Sequence, residues 1–154
     1  GQTMKKILVS SCLLGAPVRY DGKGQELAHP QITTWQLQGR IMPLCPEVAG
    51  GLPIPRAPAE IRHGKVITND DEDVTAAFRL GAKKALQLCM SHNIRFALLK
   101  ESSPSCGRNT IYDGSHQGIK VAGMGLTAAL LEQNGIKVFS EIQMPALLKA
   151  LAAC

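Results

Sequence analysis

Aromatic side chains are scarce in this chain, with one Trp, two Tyr and three Phe among 154 residues. That scarcity removes the stacking platforms on which single-stranded nucleic acid is usually read. The net charge of +5 therefore permits contact with RNA or another anion without favouring it. No apolar run approaches the ~20 residues that cross a bilayer, and no long apolar region stands near the start. A membrane protein is excluded on that basis, and a cytoplasmic one is expected. Closely paired cysteines are also missing: the five stand apart at positions 12, 45, 89, 106 and 154. An odd, scattered set fits neither a disulfide scaffold nor a compact zinc module, so reduced thiols are expected. Internal repeats and low-complexity segments are absent too. With 45% hydrophobic and 19% charged residues, the composition is that of one globular domain over residues 4–154. Gly1-Gln2-Thr3 ahead of Met4 reads as a cloning scar.

Short apolar runs that end in loops rich in Gly, Pro or Ser mark buried strands. Four such runs occur, at Lys6 to Ser11, Arg40 to Pro46, Ile94 to Glu101 and Ile136 to Glu141. Helical spacing predicts helices over Asp73 to His92, Leu126 to Gln133 and Met144 to Ala152, with a weaker one over Ile32 to Gln38. Their alternation predicts an α/β fold, a Rossmann-like three-layer sandwich with a mostly parallel sheet. Gly51 to Asn69 is an excursion that predicts a small hairpin turning at His63-Gly64. The turn at Gly123-Met124-Gly125, before the helix at Leu126, could aim helix N–H groups at an anion, although a full dinucleotide fingerprint is lacking.

In open parallel sheets, ligands gather beyond the carboxyl ends of the strands. Cys12, Cys45 and Cys106 lie at or just past three of those ends and would face one crevice. Cys89 falls on the apolar face of the long helix and reads as core, and the terminal Cys154 is assigned no role. Three thiols leave several sites open. A structural zinc ion would need a fourth ligand, for which His29 or His116 is available. An iron–sulfur cluster held by three thiolates would keep one iron open for Lewis-acid chemistry. Three unligated cysteines would fit the spacing as well.

The surrounding segments, "CLLGAPVRYDGKG", "CPEVAGGLPIPRAPAEI", "LKESSPSCG" and "GMGLTAALLEQNGIKVFSE", occur in the order and with the cysteines of a known family. Across Met4 to Glu141 the chain resembles the thiouracil desulfidases, short iron–sulfur proteins of a family long called a domain of unknown function. That resemblance implies a 4Fe-4S cluster held by Cys12, Cys45 and Cys106. It also implies a non-redox reaction in which water replaces sulfur at C2 of 2-thiouracil, or of a related thiolated pyrimidine or nucleoside, and sulfide is released. The alternative is a sulfide carrier or a structural metal-binding module without turnover.

Attack of water on a thiocarbonyl carbon needs a base for the water and stabilisation of the charge that develops. Glu47, two residues after Cys45, is the candidate for proton transfer. Ser103, three residues before Cys106, is the candidate for a positioning hydroxyl, with Ser105 as its competitor. Arg19, Asp21, Arg56, Glu60 and Lys100, with Glu101 beside it, could hold a nucleobase edge. Ion pairing that fixes the loops accounts for them equally well.

Overall fold

The computed structural model describes residues 5–153 except 18, 23, 25 and 28. The expectations for residues 1–3 and for Cys154 lie outside that set. All four expected strands form: β1 Ile7–Ser10, β2 Ile41–Leu44, and two further strands at Phe96–Leu99 and Lys137–Ser140. Numbered in chain order with two hairpins, β3 Ala59–Arg62 with β4 Lys65–Thr68 and β6 Thr110–Tyr112 with β7 Lys120–Ala122, those latter strands are β5 and β8. The sheet runs β2-β1-β5-β8 with every neighbour parallel. β1 is central and registers Ile7 against both Ile41 and Phe96.

Both faces of this sheet are covered, which is why its central strands read as unbroken apolar runs rather than alternating ones. Leu8, Ala97, Leu99 and Val138 point to one face and pack with Ala85, Cys89, Ala128 and Leu131. Those partners come from helices α3 Thr75–Ser91 and α4 Leu126–Gln133. Ile7, Val9, Phe96 and Leu98 point the other way, onto Trp35, Met144 and Leu147. These belong to α1 Pro30–Leu37 and α5 Met144–Ala152. Three layers result, as expected for the α/β sandwich. Cys89 is wholly buried among the apolar groups of the first face, the core role its helical position predicts.

Helix starts shift by two residues where capping outweighs hydrophobic spacing. α1 begins at Pro30 because His29 Nδ1 accepts the Gln31 N–H at 3.1 Å and proline suits a first helical position. α3 begins at Thr75 rather than Asp73 because the Asp73 carboxylate accepts both the Thr75 N–H and its hydroxyl. The β3–β4 hairpin turns at His63 and Gly64, with φ of 52° and 77°, the pair of positive values that a tight two-residue turn requires. Two elements were not foreseen: the four-residue helix α2, Pro46–Ala49, and the β6–β7 hairpin.

α2 lies close against α3. A Cβ on Gly81 of α3 would fall on the Pro46 carbonyl oxygen, and one on Gly50 would fall on the carbonyl oxygen of Ala77. This approach fixes the segment that follows β2 and carries Glu47.

Candidate active site

The carboxyl ends of three adjacent strands open onto one cavity of about 540 Å³. Cys45 follows β2 as the residue capping α2, and Cys12 follows β1 in a 3-10 turn, Ser11–Leu14, closed by Gly15 at φ 91°. Cys106 lies on the turn after β5. All three line the cavity. Burial drives each thiol upward in pKa, Cys12 to about 11. After burial, the next contribution at Cys12 is repulsion from Cys45. At Cys106, burial again leads, the Ser10 hydroxyl pulls the other way, and Cys12 and Cys45 both push upward. The three sulfurs therefore sense one another.

Three thiols on the wall of one cavity are the donor type that an iron–sulfur cluster takes, each thiolate binding a different iron. Among the described residues, no group of three His, Cys, Asp or Glu side chains is gathered as a ready single-ion site. The two histidines considered as a fourth zinc ligand do not line the cavity: His29 Nδ1 accepts an N–H at the start of α1, and His116 Nδ1 lies 3.5 Å from Glu60.

Glu47 and Ser103 face each other on the same wall. The Ser103 hydroxyl donates to Glu47 Oε2 at 3.3 Å, while Arg56 Nε donates to Glu47 Oε1 at 3.0 Å. Ser103 Oγ also accepts the N–H groups of Ser105 and Cys106, at 3.0 and 3.1 Å. One hydroxyl thus ties the carboxylate to the backbone of the Cys106 turn. Lys100 and Arg19 line the cavity as well. Lys100 Nζ is paired with Glu141 Oε2 at 3.0 Å, and Arg19 lies 3.8 Å from Asp21 and over the Tyr20 ring.

Three sequence candidates are not on the cavity wall. Ser105 is 0% exposed and shares a hydrogen bond of 2.7 Å with Thr127. Glu60 accepts the N–H groups of Gly114 and His116, which docks the β6–β7 loop onto β3. Asp21 is held beside Arg19, set back from the lining. The anion expectation at the start of α4 also fails. The N–H groups of Gly125, Leu126 and Thr127 are taken by the carbonyls of Gly107, Pro104 and Ser105, so that helix end is spent on anchoring the Cys106 turn.

Three contributors were not singled out beforehand, and Glu101, considered as a holder of a nucleobase edge, takes the other role weighed for it, that of fixing a loop. Tyr20, Tyr112 and Lys120 border the cavity mouth, with Lys120 Nζ 5.6 Å from the centre of the Tyr112 ring. Glu101 organises the turn from beneath. Its Oε1 accepts the N–H groups of Ser102, Arg108, Asn109 and Thr110, and its Oε2 accepts Asn109 Nδ2 at 2.6 Å. Burial alone would raise its pKa, but the Asn109, Thr110 and Arg108 donors outweigh burial and hold it at about 2. The one signal available in the sequence was an acid placed directly between a buried strand and a Ser/Pro/Gly turn.

Comparison with known proteins gives the chain a family. Residues 7–143 match a family model described as 2-thiouracil desulfurase. "Uncharacterized protein YbbK" of Bacillus subtilis (strain 168) is 41% identical over 148 residues, spanning 90% of this chain and 97% of its own. A solved structure named as the [4Fe-4S]-dependent thiouracil desulfidase TudS superposes with a TM-score of 0.96 at 52% identity. The match covers 97% of this chain and 99% of that one.

Proposed function

The chain belongs to the 2-thiouracil desulfurase family, and from that premise we propose that it is a [4Fe-4S]-dependent desulfidase acting on 2-thiouracil and related thiolated pyrimidines or nucleosides. The observation that carries this reading is the meeting of Cys12, Cys45 and Cys106 with the Glu47–Ser103 pair on one cavity. Cys12, Cys45 and Cys106 would hold the cluster, which supplies an open iron as a Lewis acid for the thiocarbonyl sulfur.

The chain's own residues do the rest. Glu47, oriented by Arg56 on one oxygen and by Ser103 on the other, takes a proton from the water that attacks C2. The C–S bond then breaks, the sulfur departs as hydrosulfide, and the proton returns through Glu47 to the products, so that thiouracil and water become uracil and hydrogen sulfide. No electron is gained or lost. Ser103 is fixed by two backbone donors, so its hydroxyl points at the carboxylate or at a group of the substrate without rearrangement. The volume of about 540 Å³ lies in the ~300–1,000 Å³ range of small-molecule sites and accommodates a ring substituent. Tyr20 and Tyr112 at the mouth offer faces for a pyrimidine.

Among the described residues, no helix is long and apolar enough to cross a membrane. We place the reaction in the cytoplasm, with a small-molecule substrate rather than RNA. Anaerobic reconstitution with iron and sulfide, followed by 2-thiouracil, tests the proposal. Multiple turnovers with matched uracil and sulfide are expected. Binding of sulfide without turnover would establish the carrier reading instead, and about one zinc per chain without iron would establish the structural one.

A further inference from the structure

β1 and β5 pair in register from Ile7–Phe96 through Val9–Leu98 and then part. At the parting the next backbone donor of β5, the Lys100 N–H, finds no carbonyl on β1 and is met by the Ser10 side chain, Oγ accepting it at 3.0 Å. That bond orients the hydroxyl, and its proton is directed across the gap at Cys106 Sγ, 3.5 Å away. Ser10 is 2% exposed and Cys106 is buried beside it. Both line the cavity, but so little of Ser10 is open to it that the hydroxyl spends its hydrogen bond on the sulfur. A serine at the last position of a strand whose three preceding residues are apolar and fully buried is otherwise an expensive choice, because a hydroxyl inside such a core is costly unless both its functions are used.

Resting on the cluster reading above, we infer that Ser10 is a positioning residue that tunes the Cys106 thiolate of the cluster through an O–H···S hydrogen bond. Such a bond draws electron density from the sulfur and weakens its donation to iron. The cluster is then a stronger Lewis acid and is reduced at a higher potential, since hydrogen bonds to the sulfurs are among the levers that set both. The softened thiolate lies on the Ser103 turn, where Ser103 Oγ holds the Cys106 N–H.

The test compares wild type, Ser10→Ala and Ser10→Thr after anaerobic reconstitution, reading iron content, midpoint potential and steady-state kinetics with 2-thiouracil. Ser10→Ala should load iron at the wild-type level, shift the potential to a more negative value and lower kcat about 10-fold with little change in KM. Ser10→Thr, which keeps the hydroxyl, should restore the potential and kcat. In wild type itself, transfer to D₂O should move the iron–thiolate stretching bands in the resonance Raman spectrum. A loaded Ser10→Ala protein with the wild-type potential overturns the assignment, as do wild-type bands that ignore D₂O. A wild-type protein that takes up no iron and sulfide overturns the cluster reading itself, a result distinguishable from either.

Discussion

Glu101→Gln removes one charge and exchanges one oxygen for an amide, yet the hydrogen-bond chain around it makes this near-isosteric change severe. Oε1 can remain an oxygen and keep its four backbone donors. The new amide would then face Asn109 Nδ2, donor against donor at the present 2.6 Å. Asn109 cannot simply turn over, because the same Nδ2 donates to Gln143 Oε1 at 3.0 Å. Gln143 is fixed in turn: its Oε1 also accepts the Ser140 N–H at 3.0 Å. The direction of the whole relay is set by a backbone donor at the end of β8, and only a group with two acceptors can close it at position 101.

The magnitude can be approached in two ways. The fall of the Glu101 pKa from 4.5 to about 2 corresponds to about 3 kcal/mol by proton linkage. The carboxylate is only partly buried, so solvent screening reduces this to on the order of 1.5 kcal/mol. An opposed or unsatisfied donor costs roughly 1–3 kcal/mol. A loss of about 2 kcal/mol in the urea unfolding of the cluster-free protein near pH 7 is expected. Because the folded pKa lies below the unfolded one, the wild-type advantage is fully present above about 4.5 and is lost as pH falls toward 2. The gap between wild type and variant should therefore narrow across that window. A variant as stable as wild type at neutral pH, or a gap that stays constant down to about pH 2.5, would refute this account of the turn.

Replacing Cys12, Cys45 or Cys106 by Ser should cut iron uptake during reconstitution to a small fraction of wild type, while Cys89→Ala, measured the same way, should load fully. Glu47→Gln and Ser103→Ala should retain the cluster chromophore yet lower kcat for 2-thiouracil by about 100-fold or more. Gly81→Ala gains up to ~1 kcal/mol of helix propensity but drives a methyl onto the Pro46 carbonyl. Thermal unfolding should show net destabilisation, and activity should fall as α2 carries Glu47 outward.

What could be read in the sequence follows from which signals are local. The two central strands were legible because burial on both faces leaves Ile7–Ser10 and Phe96–Leu99 with no exposed residue, and the edge strands because short apolar runs there end in loops. α4 was legible from apolar spacing and the Asn134-Gly135 stop, and α5, expected around Met144 to Ala152, forms over that range. α2 was not, since four residues are too few for any period, and it exists by packing on Gly81. β7 was missed because all three of its residues are exposed and give no pattern. Within the site, proximity in sequence to Cys106 suggested Ser103 and Ser105 equally. The turn separates them, one toward Glu47 and the other toward Thr127 in the core. Glu101 was named beside Lys100, but its hold on backbone up to 9 residues away was not legible, and Ser10, whose partner is 96 residues away, is marked by nothing in its residue type.

The same contacts explain how the cavity can present reactive groups without collapsing. Around the Cys106 turn, polar groups that do not face the cavity are consumed internally: the start of α4 by the turn carbonyls, Ser105 by Thr127, and four loop N–H groups by Glu101. Across the cavity, Glu60 does the equivalent for the β6–β7 loop. Polar satisfaction of this kind holds a loop in one shape more firmly than apolar packing does, because each donor accepts only a narrow range of partner positions. The wall then presents three thiols, the Glu47–Ser103 pair with Arg56, and Lys100 tied to Glu141, with Arg19, Tyr20, Tyr112 and Lys120 around them. Cys106, Glu47, Ser103, Arg56 and Lys100 already have a fixed neighbour. A substrate entering between them meets groups whose positions were set by folding, so binding energy is not spent on ordering the turn, and can go instead to holding C2 against the attacking water.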